Sequence, residues 1–179
     1  MKKQYPTELH EKSAIEITEF FSRIEDVKAV LLTCSCARGV ATSDSCLDIA
    51  VLLPFDLDVK RKEEIITCWN KEHESNKLFK QLRIVGKYSH IDLGFINGDF
   101  KEGYHCWASG PDEFEVEIGN YVYYSKPLYE KDDYFEKLRN KWLPYYNDQL
   151  RKERFEMVKG YFLNNLHHIP VYVDRELYF

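Results

Sequence analysis

No apolar run in the sequence approaches the roughly 20 residues that a membrane-spanning helix needs. The N-terminal stretch, Met-Lys-Lys-Gln-Tyr-Pro, lacks the apolar core of a secretory signal. There is no basic excess either. Lys and Arg number 25 against 30 Asp and Glu, and the net charge of −5 argues against a broad cationic groove for nucleic acid. The five cysteines, an odd count without repeated spacing, are poor material for a disulfide framework and read as reduced thiols of a cytoplasmic protein. Internal repeats and low-complexity segments are absent.

What is present suits a folded chain. With 179 residues, 44% of them hydrophobic and 31% charged, the sequence has enough apolar material for one domain, or a compact core with a helical extension. The charge balance fits a small acceptor molecule or a local protein contact as partner. The apolar ending Arg175-Glu-Leu-Tyr-Phe179 is expected either to pack down or to continue in a longer parent.

Periodicity divides the chain into elements. Ile15, Ile17, Phe20, Phe21 and Ile24 recur near helical spacing within 7–24, which predicts an amphipathic helix. The short Val- and Leu-rich run Val27–Thr33 predicts a buried strand. A second strand is predicted over Cys46–Leu53, ended by Pro54. Leu47, Ile49, Val51 and Leu53 take one face, and Cys46, Asp48, Ala50 and Leu52 the other. A charged helix follows over Asp58–Phe79, then strands at Leu82–Val85 and His90–Ile96 around a turn at Gly86-Lys87. In the last of these Asp92, Gly94 and Ile96 share a face, so Asp92 is a mid-strand carboxylate that wants a reason. Residues 97–111 read as a loop-rich insertion. A hairpin is expected from Phe114–Ile118 and Tyr121–Tyr124 around Gly119-Asn120, and helices over Glu130–Lys141 and Asn147–His168, separated at Pro144. The expected fold class is mixed α+β, a small mixed sheet flanked by helices, with a core over residues 1–125 and a helical extension over 126–179.

Between the first two strands the chain reads Cys34-Ser-Cys-Ala-Arg-Gly-Val-Ala-Thr-Ser-Asp-Ser-Cys-Leu-Asp48. This stretch resembles the signature of the polymerase-β-like nucleotidyltransferases, in the form found in minimal and antibiotic-modifying members: Gly-Ser-x-Ala-Arg-Gly-x-Ala-Thr-x-x-Ser-Asp-x-Asp. Ser35, Ala37, Arg38, Gly39, Ala41, Thr42, Ser45 and Asp48 fall in register without a gap. Two positions depart: the opening glycine is Cys34, and the first of the paired aspartates is Cys46.

The resemblance implies a fold and a chemistry. Nucleotidyl transfer needs a triphosphate held in line and divalent cations to neutralise it, which the family binds through carboxylates on adjacent strands. Carried over, Asp48 is the second aspartate of the pair and Asp92 is the candidate third carboxylate. Both are thereby candidate catalytic and Mg²⁺ ligands, with Asp44 as a substitute for the aspartate missing at Cys46. Ser35, Arg38 and Gly39 become candidate nucleotide or phosphate contacts. Local alternatives remain for each. Asp92 could be a salt-bridged strand residue and Ser35 a plain N-cap, while Arg38 could pair with a core carboxylate. Mg²⁺ binding is expected to be weak, since a thiol is a poor ligand for a hard cation. Cys34, Cys36 and Cys46, with His90, could instead bind zinc, although their spacing matches no standard ligand pattern, and Cys34 with Cys46 could form a redox pair.

Two functions follow from the resemblance. One is an enzyme that transfers a nucleoside monophosphate from NTP to a hydroxyl of a small molecule or protein. The other is a degenerate homologue that binds a nucleotide, ligand or partner. The tyrosines at 121, 123, 124 and 129 could stack a base, though core packing explains most of the 13 in the chain.

Overall fold

Backbone pairing puts Leu32 of the first strand beside Ile49 and Ala29 beside Leu52, so the first two strands run antiparallel across the 34–46 connection. In this computed structural model residues 5–103 and 112–176 are described. Their elements are α1 (Glu8–Ser22), β1 (Ala29–Leu32), α2 (Cys34–Arg38), β2 (Leu47–Leu52), α3 (Val59–Ser75), α4 (Lys77–Leu82) and β3 (Ile91–Ile96). Beyond the undescribed segment come α5 (Glu113–Ile118), a π-helical turn (Gly119–Tyr123), β4 (Lys126–Glu130), α6 (Tyr134–Trp142), a 3₁₀ turn (Leu143–Tyr145) and α7 (Asp148–Asp174). Among the described residues four strands form one sheet in the order β3-β2-β1-β4, with β2 and β3 parallel and the other pairs antiparallel. The mixed α+β expectation is borne out.

The two faces of the sheet carry separate cores, as strand alternation requires. Val30, Leu32, Leu47, Ile49, Val51 and Leu53 pack with Ile17 and Phe21 of α1, Ile65 and Trp69 of α3 and Phe79 of α4. Ala29, Leu31, Ala50 and Leu52 pack with Phe114, Ile118, Val122, Phe135 and Leu138 on the opposite side. α1 forms because Thr7 caps it, accepting from the His10 backbone N–H, and because His10, Ala14, Ile17 and Phe21 repeat at helical spacing on its buried face.

Several sequence expectations need correction. The single helix expected over 58–79 divides at Asn76, whose extended backbone ends α3 while its side chain accepts from the N–H groups of Leu78 and Phe79 to start α4. Leu82–Val85 is no strand: Leu82 ends α4, Ile84 is exposed, and turn bonds to Gln81 and Leu82 take the next N–H groups. The expected hairpin at 114–124 is α5 and the π turn. Phe114, Ile118 and Val122 are buried at a spacing of four, the helical period, while Val116 on the supposed inner face is exposed. An Asp112–Glu115 capping box starts that helix. Residues 126–130, read as connection and helix start, form β4, an edge strand that tolerates Pro127 next to a register shift. The sheet therefore extends past Ser125. Gly103, Gly110 and Pro111 were grouped in one loop; 104–111 lie outside the described residues. α7 follows the expected helix but runs on to Asp174, with every side chain at least partly exposed, including Phe155, Phe162 and Ile169.

Candidate functional site

The connection from β1 to β2 is shaped by its backbone first. Thr33 donates its N–H to the carbonyl of Asp48 (3.0 Å), so α2 starts against β2 at the level of that carboxylate. Cys34 then adopts φ +50°, a left-handed conformation that a side chain resists and a glycine accepts freely. This is the position where the resembled signature has glycine. α2 lasts one turn and a half. Gly39 ends it at φ +67°, donating to the Cys36 carbonyl, while Val40 donates to that of Ser35. Arg38 and Gly39, candidate phosphate contacts, thus sit at the C-terminal end of this helix. Ser35 is the second helical residue, and the N-cap position belongs to Thr33, whose side chain makes no capping bond.

The loop from Val40 to Cys46 is tied down from three sides. The buried His10 ring binds the Ser45 carbonyl through Nε2 (3.0 Å) and Thr7 Oγ1 through Nδ1 (2.7 Å). Ser89 Oγ donates to the Ser43 carbonyl (3.1 Å). Gly86 lies so close to Asp44 that a Cβ there would come within 2.5 Å of the Asp44 Cβ. The Asp44 carboxylate accepts from Thr42 Oγ1 (2.6 Å) inside its own turn.

Asp48 and Asp92 are register partners on the parallel strands β2 and β3, and both belong to the face that carries Ala50, Leu52 and Ile96. Asp48 is buried and Asp92 exposed. The Cys46 thiol donates to both Asp48 oxygens, at 3.1 and 3.2 Å. Burial, then the negative charge of Asp92, holds the Asp48 carboxyl above its ordinary range, and the Cys46 hydrogen bond offsets part of this. Burial and the neighbouring carboxylate push the Cys46 thiol up to about 12, and burial lifts Cys36 to about 11. Cys34 is raised too, chiefly by burial. Cys34, Cys36, Cys46 and Cys68 are free, and the three near the site stay protonated at neutral pH. In that state they are poor nucleophiles for thiol–disulfide exchange.

Among the described residues no three His, Cys, Asp or Glu side chains converge to hold a metal ion. Asp44, turned onto Thr42, does not complete a set with Asp48 and Asp92, and neither does His90 with the cysteines. The donors here do not fit a Mg²⁺ site, which asks for near-octahedral oxygen ligation: one carboxylate is already engaged by a thiol and the other stands at the rim.

Sequence reasoning missed the far side of this region. The Tyr121 hydroxyl reaches over β3 to within 3.7 Å of the Cβ position of Gly94, on the face of the two aspartates. Beside α2, a cleft of about 640 Å³ opens between α5, the π turn and the first turns of α7. Arg38 lines it, but Asp48, Asp92 and Ser35 do not. The Arg38 guanidinium lies over the Tyr124 ring, 5.4 Å from its centroid, and its Nε donates to the Cys34 carbonyl (3.3 Å). Among the described residues Arg38 forms no ion pair with a core carboxylate, the pairing given as one of its two expected uses. At the cleft floor Glu115 is almost wholly buried and accepts from Arg154 (2.8 Å), Tyr145 (3.4 Å) and the Asp112 N–H (3.3 Å). The Asp112-x-x-Glu115 string ahead of an apolar run was the signal for this wall.

No family model matches the chain, and no curated protein matches it. Solved structures do. A chain from a mutant of the toxin–antitoxin MntA-HpeT has 19% sequence identity over 84% of this chain and 95% of its own, with a TM-score of 0.43. A second mutant of the same toxin–antitoxin gives 18%, 84%, 96% and 0.43. A chain from a crystal structure of the toxin–antitoxin with AMP-PNP gives 17%, 84%, 94% and 0.41. Among the described residues, no helix is long and apolar enough to cross a membrane.

Proposed function

We propose that this protein is a nucleotidyltransferase-like chain that binds an NTP but has lost the metal centre needed for transfer. The observation that carries this is that Cys46, at the position of the first paired aspartate of the resembled signature, donates its thiol to both oxygens of Asp48. Further support comes from Cys34, which stands where the resembled signature has glycine and adopts φ +50°, a conformation that glycine accepts freely and a side chain disfavours. The turn thus retains a geometry that its sequence no longer favours.

In this account Ser35 and the backbone around α2 contact phosphate, and Asp48 and Asp92 are remnants of the ligand set. Chemistry that relies on charge neutralisation loses rate far more than affinity when a ligand is lost. Calorimetry should therefore detect NTP binding to the native chain, with little or no pyrophosphate release in the presence of Mg²⁺ and hydroxyl acceptors. Cys46→Asp should tighten Mg²⁺ and NTP together, because each shares ligands with the other. Robust turnover by the native protein, abolished by Asp48→Ala, would restore the enzyme reading, with transfer of NMP to a small-molecule or protein hydroxyl.

A further inference from the structure

The cleft beside Arg38 has a composition that selects its ligand. Tyr123, Tyr124 and Tyr146 form an aromatic corner: Tyr123 meets Tyr124 edge-on at 4.8 Å and 84°, and meets Tyr146 at 5.8 Å and 63°. Tyr123 and Tyr124 are about half exposed, which is unusual for adjacent large rings that could have packed inward. The acid on the cleft wall, Glu115, is neutralised by the Arg154 ion pair. Arg38 stands over the Tyr124 ring on one side, and Arg151, 80% exposed and ion-paired with the solvated Asp148 (3.3 Å), projects from α7 on the other. Asn120 adds an amide to the wall between them. The volume, about 640 Å³, is in the range of small-molecule sites and holds a base, a ribose and phosphates together.

We infer that this cleft binds the nucleoside end of a nucleotide without a metal ion, the base stacking on one ring of the Tyr123–Tyr124 pair and meeting the other edge-on, and the phosphates lying towards Arg38 and Arg151. The inference rests on the nucleotide-binding reading above and adds the place and the means. Aromatic faces accept any base, so stacking supplies affinity without strong base selectivity. Two guanidiniums favour an anion and disfavour a cationic ligand. The π-helical turn is the device that makes the corner: it presents Tyr121 towards the aspartates while Tyr123 and the adjacent Tyr124 face the cleft.

The test is calorimetric titration in EDTA with three probes: ATP, adenosine and tripolyphosphate. The variants are Tyr124→Leu, Arg151→Gln and Ser35→Ala, each checked for an unchanged circular dichroism spectrum and melting point. ATP is expected to bind more tightly than either fragment. Tyr124→Leu should weaken ATP and adenosine by roughly tenfold and leave tripolyphosphate unchanged. Arg151→Gln should weaken ATP and tripolyphosphate and spare adenosine. If ATP binds but only Ser35→Ala weakens it, the base lies elsewhere and the cleft assignment is overturned, while nucleotide binding stands. If ATP binds neither the native chain nor Cys46→Asp, with or without Mg²⁺, both proposals fall together.

Discussion

Replacing Cys46 with aspartate should cost stability before it restores any chemistry. The native thiol is a neutral donor held 3.1 and 3.2 Å from the two oxygens of a buried carboxylate. Cys46→Asp substitutes an acceptor of like charge at that distance, with Asp92 in register on the neighbouring strand. Two unit charges about 4 Å apart, at an effective dielectric of about 20, repel by about 4 kcal/mol. Partial exposure of position 46, and the option of binding a proton, reduce this to about 1–3 kcal/mol. The sign with pH follows. The shared proton raises the folded-state pKa above the unfolded value of about 4, so the variant matches the native chain at low pH and loses stability as pH rises through the raised pKa. Urea unfolding near pH 5 and near pH 7.5, with and without Mg²⁺, reads this directly. The deficit should grow with pH and shrink when Mg²⁺ is added, because a cation that binds only the folded state stabilises it. Cys46→Ala separates loss of the thiol from gain of charge, and should cost only about 1 kcal/mol. A Cys46→Asp variant as stable as the native protein at pH 7.5 in EDTA would show that side chain 46 does not face Asp48.

Further outcomes can be measured on the same platform. Cys34→Gly should raise stability by about 0.5–1 kcal/mol, against the usual effect of glycine, because φ +50° is strained only for the side-chain-bearing residue; a loss of stability in chemical denaturation would refute this. Asp112→Ala should cost about 1 kcal/mol through the lost capping box, and calorimetric melting should show it. In alkali, the Cys46 and Cys36 thiols have folded pKa values of about 12 and 11 against 9.0 for an ordinary thiol. Their contribution is therefore complete below pH 9 and lost as pH rises towards 11 and 12, and Cys46→Ala should flatten that decline in a denaturation series.

The site strands were legible because strict alternation in Cys46–Leu53 and His90–Ile96 fixed the face of every residue, and both aspartates fell on the one face the sheet gives them. The direction of β3 relative to β2 decides that they are register partners, and no single-chain period carries that. The 114–124 region misled because Phe114, Val116 and Ile118 alternate while Phe114, Ile118 and Val122 also repeat at four; burial of Val122 against the sheet decided between them. β4 was hidden by Pro127 and by charged ends, which suit an edge strand and carry little apolar pattern. The cleft as a whole has no local signal, since it joins Arg38, the π turn and α7 from three distant parts of the chain, although its tyrosines and the Asp112-x-x-Glu115 cap are visible singly.

The π turn at Gly119–Tyr123 gives this protein a place where a single codon matters more than its position suggests. A π turn holds one residue more than the α-helix it interrupts, and successive helical residues are about 100° apart. Deleting one residue there would relax the turn to α geometry and take out the extra residue that spreads these tyrosines over different directions. Without it, Tyr121 on the face of the aspartates and the Tyr123–Tyr124 pair on the cleft would no longer both be presented by the same turn. The length of this turn, and not only the identity of the wall residues, therefore sets whether one element can serve both the aspartate face and the cleft.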